Sequence, residues 1–296
     1  MLKKIFNTGL LFLFISLIFS CGTKESLPLS KYYNYDQKLP LKDTLLQVDS
    51  ADNYTMRHID YFSINNKKVK ALLSIPKNID KPIPVIILLH GLGDRKTVDY
   101  IEAGHEYFIK SGYAVFRIDI ANHGDRLEDN YEFSFTDGYK YWTRNIIIQT
   151  VFDLRRGIDL LNKIPDIDST RIGFYGISLG GFTGTVFCAV DKRVKVPVIA
   201  LAGGGFNVMF GLDALSEEAL DYFSMIDPIN YVEMLSPRPL LMLNAENDDV
   251  VPPFTTKRLF KKAKEPKKII WYNAKHHDVP IDKVYQAGID WYKKYL

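Results

Sequence analysis

The 296-residue chain has two cysteines, Cys21 and Cys188, so at most one intrachain disulfide is available. No internal repeat or low-complexity tract is present, which argues against a solenoid. The net charge is only +3, and the lysines are spread along the chain. No basic stripe interleaves with aromatics, so nucleic acid is not an expected partner. His105, in "GHEYF", lacks the second histidine of a zinc-binding His-Glu-x-x-His. His276 and His277 are adjacent, but no cysteine or third histidine is spaced to complete a metal site. Neither a metal nor a cofactor is therefore expected. The apolar run "LLFLFISLIF" near the start is too short to span a bilayer as an ordinary helix.

What is there is an ordinary globular balance, 47% hydrophobic and 25% charged, on a length that suits one large α/β domain or two small ones. The first residues have another character. A basic start, "MLKK", precedes the short apolar core and then "IFSCG". This is the shape of a signal peptide over residues 1–20, and its end resembles a bacterial lipobox. The expectation is an exported protein whose lipidated Cys21 tethers it to a bacterial membrane surface. Phe19 is bulkier than the usual residue at its place. Residues 21–50 are polar, lack a strong period and read as a tether. Cys188, in "GTVFCAVD", reads as a buried packing residue.

From residue 51 to 296 apolar runs alternate with helical patterns. "MRHIDYFSI" and "VKALLSIP" read as antiparallel strands. "PVIILLHG", "AVFRIDI", "RIGFYGIS", "VPVIALAG", "PLLMLNA" and "KKIIWYN" read as buried strands separated by helices. About eight strands, mostly parallel, with helices on both faces and an insertion after the sixth strand give an α/β fold.

One strand runs straight into a helix through "FYGISLGG". A reversal that tight strains its central residue, Ser178, and side chains two positions before and after would collide. Gly176 and Gly180 stand at those two positions. The turn lifts the serine hydroxyl off the end of the sheet, and the helix behind it favours developing negative charge. A serine needs a base to become a nucleophile. His276 and His277 are the only histidines after Ser178, and Glu246, Asp248 and Asp249, at the end of the strand "PLLMLNA", lie between it and them.

These stretches resemble the α/β-hydrolase family from about residue 55 onward. "VIILLHGLGD" is similar to its strand with a His-Gly oxyanion turn, "YGISLGG" to its nucleophile elbow, "NAENDDVVP" to its acid turn and "YNAKHHD" to its histidine loop. The resemblance implies Ser178 as nucleophile, Asp248 as the acid, since the family's aspartate precedes proline by four positions, and His276 as the base. Lys275 replaces the family's usual glycine, so His277 stays open as the alternative base. The backbone N–H groups of Leu92 and Leu179 are the implied oxyanion donors, and His90 and His123 are implied to be structural.

The implied activity is carboxyl-ester hydrolysis on small or medium acyl or aryl esters, including acetylated sugars. A peptidase of the prolyl-oligopeptidase type and a non-catalytic ligand-binding member of the fold are the alternatives. Two aromatic-rich segments, one with Tyr131, Phe133, Phe135, Tyr139, Tyr141 and Trp142 and the other with Phe206, Met209 and Phe210, leave the sheet at its catalytic end. Most are expected to pack on one another, and a few to wall the pocket.

Overall fold

The computed structural model describes residues 28–80, 82–128 and 132–296. The signal peptide, Cys21 and Tyr131 lie outside the described residues. Leu29–Tyr32 is a single helical turn, and residues 33–296 form a separate unit.

Among the described residues, this unit is built on a nine-stranded sheet: β1 (Thr44–Ser50), β2 (Tyr54–Phe62), β3 (Lys68–Pro76), β4 (Ile83–Leu89), β5 (Ala114–Ile118), β6 (Ile167–Ile177), β7 (Val194–Ala200), β8 (Leu240–Ala245) and β9 (Lys267–Tyr272). Their order is β1-β2-β3-β5-β4-β6-β7-β8-β9. β1, β2, β3 and β5 pair antiparallel in turn, and the strands from β5 to β9 are parallel neighbours. The ninth strand, β1, comes from the stretch read as tether. Tyr33 is fully buried, and its hydroxyl donates to Met225 O at 2.6 Å. β1 gives no alternating buried pattern to read, since six of its seven residues are exposed, Leu45, Leu46 and Val48 among them, and its hydrogen bonds to β2 are made by backbone.

The main helices are α1 (Asp99–Lys110), α2 (Lys140–Leu161), α3 (Leu179–Val190), α4 (Glu217–Ser224), α5 (Pro253–Lys262) and α6 (Ile281–Tyr295). α1 packs on α6, and α2 packs on α3. The core between sheet and α1/α6 joins Ile86, Leu88, Phe108, Tyr175, Tyr285 and Tyr292. Parallel strands buried on both faces can carry apolar residues at every position; six of the seven residues of β4 are buried. That is why these strands were legible as continuous runs. The parallel order brings the C-terminal ends of β4, β6, β8 and β9 to one edge, where open α/β sheets bind ligands.

Candidate active site

Ser178 sits between β6 and α3 with φ 53° and ψ −119°, a backbone conformation L side chains rarely adopt. Tight backbone approach maintains it. A Cβ on Gly176 would lie 2.4 Å from Gly180 O, and one on Gly180 would lie 2.5 Å from His90 O and 2.6 Å from Leu89 O. Glycine at both positions lets α3 close onto the end of β4. Ser178 N–H donates to Ala200 O at 2.9 Å, and Ser178 O accepts from Gly181 and Phe182 as the helix begins.

His276, in the loop after β9, is 4% exposed and directs Nε2 to Ser178 Oγ at 3.1 Å. Its Nδ1 lies 2.8 Å from Asp248 Oδ2 and 2.9 Å from Oδ1. Asp248 follows β8 and accepts from the backbone N–H groups of Val250 and Val251 at 2.9 and 2.7 Å. These donors fix the carboxylate, so it presents an acceptor to Nδ1 and leaves Nε2 as acceptor for the serine proton. The neighbouring acid has other contacts. Asp249 Oδ1 accepts from the His276 backbone N–H at 3.4 Å, and its Oδ2 lies 3.6 Å from Lys275 Nζ. Lys275, which stands where a glycine was expected, thus faces Asp249. Glu246 and His277 are exposed, and the His277 ring lies edge-on to that of His276 at 5.0 Å.

The turn after β4 approaches the serine from the other side. His90 is fully buried. Its Nε2 accepts from Ile120 N–H at 3.0 Å, so Nδ1 carries the proton and donates to Gly91 O at 2.7 Å. Burial holds this imidazole down at about 4, so the ring is neutral near pH 7. The bond pins the Gly91 carbonyl. In a planar trans peptide, the Leu92 N–H on the same unit points the opposite way, away from the His90 ring. Leu179, first residue of α3, has one of the helix's leading N–H groups, which lack an intrahelical acceptor. His123 Nδ1 lies 3.0 Å from Ala121 O, a local backbone contact.

A pocket of about 250 Å³ opens over Ser178. Leu92, Ile177, Leu201, Val250, Val279 and Val284 form much of its apolar wall, and Asp94 and Tyr100 bring polar groups to it. No group of three or more His, Cys, Asp or Glu side chains among the described residues could hold a metal ion.

Residues 26–201, more than half of the chain, match the acetyl xylan esterase (AXE1) family. The chain belongs to that family. This AXE1 member is an ester hydrolase of the α/β-hydrolase fold. Residues 212–295 also match the PhoPQ-activated pathogenicity-related protein family. The AXE1 member is 25% identical over 234 residues to the Bacillus subtilis protein YtaP, covering 72% of this chain and 76% of that one. It is 24% identical over 199 residues to the esterase YjfP of Escherichia coli, covering 61% and 74%. Its fold is similar to that of the acetyl xylan esterase from Paenibacillus sp. R4, with a TM-score of 0.73 at 20% identity over 90% of this chain and 91% of that one.

One expectation is corrected. None of the described aromatic residues expected to wall the pocket lines it. Phe135 instead stacks on Phe210 at 4.7 Å between ring centroids and lies 4.9 Å from Phe206, which in turn meets Phe223 and Phe182. Flat rings satisfy one another at these distances. The pocket wall comes in part from α6 and the loop before it, at Val279, Ile281, Val284 and Tyr285. No local motif marks these residues. Asp94 did have a signal, as an acid directly after the His-Gly turn.

Proposed function

We propose that Ser178, His276 and Asp248 act as nucleophile, base and orienting acid in the hydrolysis of short-chain acyl esters, with acetylated sugars as the substrate class. The observation that carries this reading is the unbroken hydrogen-bonded line Asp248–His276–Ser178 at the pocket of about 250 Å³. Ser178 Oγ attacks the ester carbonyl as His276 Nε2 takes its proton. His276 then returns that proton to the departing alcohol, leaving an acyl-serine. Water attacks the acyl carbon, gives its proton to His276 and releases the acid, and Ser178 recovers its proton. Asp248 holds the imidazole in the required tautomer and stabilises its cation. The N–H groups of Leu92 and Leu179 bind the oxyanion, and losing one such donor costs about 3 kcal/mol in the barrier.

A pocket of this size with aliphatic walls favours acyl chains of up to about four carbons, each surplus methylene costing at most about 1–3 kcal/mol. The test is an aryl-ester series of increasing acyl length on protein lacking residues 1–21, with Ser178→Ala as control. Activity is expected to peak at the short end. A steady rise in kcat/KM to long chains overturns the reading of the pocket.

The mature chain begins, in this reading, at a lipidated Cys21 that holds the enzyme outside the cytoplasm at a membrane surface, supported by the basic start, the short apolar core and the small residue before the cysteine. No helix among the described residues is long and apolar enough to cross a membrane. Cys21→Ser is expected to release or mis-process the protein; a wild-type chain recovered as soluble, with an unmodified N-terminus beyond residue 21, overturns the assignment.

A further inference from the structure

We propose that Asp94 is a charge filter: its carboxylate makes the enzyme select esters with neutral acyl groups and turn away those whose acyl group carries a negative charge. The proposal rests on the pocket being the ester site.

Asp94 follows the turn at Gly91–Gly93 and is half-buried. The Tyr100 hydroxyl donates to its Oδ2 at 2.7 Å, and the same hydroxyl oxygen accepts from Gly91 N–H at 2.8 Å. Burial, joined by hydrogen bonding to Asp94, pushes the Tyr100 phenol well above its ordinary value, so it stays protonated and keeps donating. Tyr100 is itself anchored, since its carbonyl accepts from the Tyr285 hydroxyl at 2.7 Å. The carboxylate is therefore tied through one phenol to the backbone of the turn rather than swinging in solvent. Its position is close to the nucleophile. A Cβ built on Gly91 would lie 3.4 Å from Ser178 Cβ and 3.5 Å from Asp94 Oδ2, so the serine and the carboxylate flank the same glycine.

No described Lys or Arg neutralises this charge at close range. Asp94 is the only Asp or Glu among the described residues that line the pocket, no Lys or Arg lines it, and no described residue forms an ion pair with Asp94. The remaining wall is mostly apolar, and a charge beside low-polarity walls is screened less than one in open water. A second negative charge brought beside Ser178 meets this fixed one, whereas an acetyl group meets only a hydrogen-bond acceptor. The mechanism gives Asp94 no proton to move, which separates its work from that of Asp248.

The test compares 4-nitrophenyl acetate with 4-nitrophenyl hemisuccinate, which share a leaving group and differ in acyl charge. The readout is the ratio of kcat/KM for hemisuccinate to that for acetate, in wild type and in Asp94→Asn, whose side-chain oxygen can still accept from Tyr100. The ratio is expected to rise at least fivefold in the variant; a smaller rise overturns the proposal. If the variant does not fold, the wild-type ratio is measured from about 20 mM to about 0.5 M salt, over which screening lengths shrink several-fold. A ratio that climbs with salt supports the filter, and a flat one overturns it. Failure of the ester-site reading looks different: Ser178→Ala would then leave hydrolysis of the acetate unchanged.

Discussion

The pocket over Ser178 and the cluster around Phe206 are both apolar, yet they are built on opposite plans. The pocket is walled largely by aliphatic residues, brought together from the ends of β6 and β7, the loop after β8 and α6, and it leaves about 250 Å³ open. The cluster joins rings from the segment before α2, the insertion before β8 and Phe182 of α3, and its paired centroids are 4.7–6.5 Å apart. Rings that satisfy one another close up; short branched side chains held apart by rigid strands do not. Aromatic richness near the C-terminal edge of the parallel strands therefore marked a packed layer, and the open space formed where no local motif stands out.

The two regions are expected to differ most at the serine. Ser178→Ala is expected to lower kcat/KM on 4-nitrophenyl acetate by about 10⁴-fold or more without altering the unfolding curve. A loss below tenfold would detach the pocket from the chemistry. Asp248→Asn is expected to lose about 10⁴-fold and Asp249→Asn less than about tenfold, because only Asp248 contacts the His276 ring among the two. The reverse order in steady-state kinetics would move the acid by one residue.

On the aromatic side, Phe206→Ala should act on stability. Phe206 is fully buried, and truncation at such a site costs about 3–5 kcal/mol. Urea unfolding should report that loss, while kcat/KM of the folded fraction stays near wild type. A large change in acyl-chain preference instead would return this cluster to the pocket.

A smaller effect separates the two regions by pH. His90 behind the Ser178 turn has a folded-state value of about 4, below an unfolded value near 6.5. The unfolded chain therefore takes up a proton first. Stability from keeping His90 neutral is present above pH 6.5 and is lost as the pH falls from 6.5 towards 4, by about 3 kcal/mol. His105, held down at about 3 by burial, adds in the same direction. Urea midpoints at pH 7 and pH 5 check this; an unchanged midpoint would show that the ring is not held neutral.

Much of the frame was legible because it rests on neighbours in the chain. The buried parallel strands read as continuous apolar runs, and the glycines around Ser178 read as a turn that tolerates no Cβ. β1 was not legible, since an edge strand held by backbone bonds needs no apolar alternation. The glycine turn marks Ser178, the α/β-hydrolase resemblance implies Asp248 and His276, and the fold brings these three within hydrogen-bonding distance.

The sequence by itself determined the α/β class and the strained serine turn, because steric exclusion acts between residues adjacent along the chain. Only the tertiary structure decided that His276 reaches Asp248 while its backbone engages Asp249, that Tyr100 holds Asp94 beside the serine, and that α6, a hundred residues further on, walls the pocket. Those outcomes depend on how distant elements pack, and packing is a property of the assembled layers that no single stretch of chain contains.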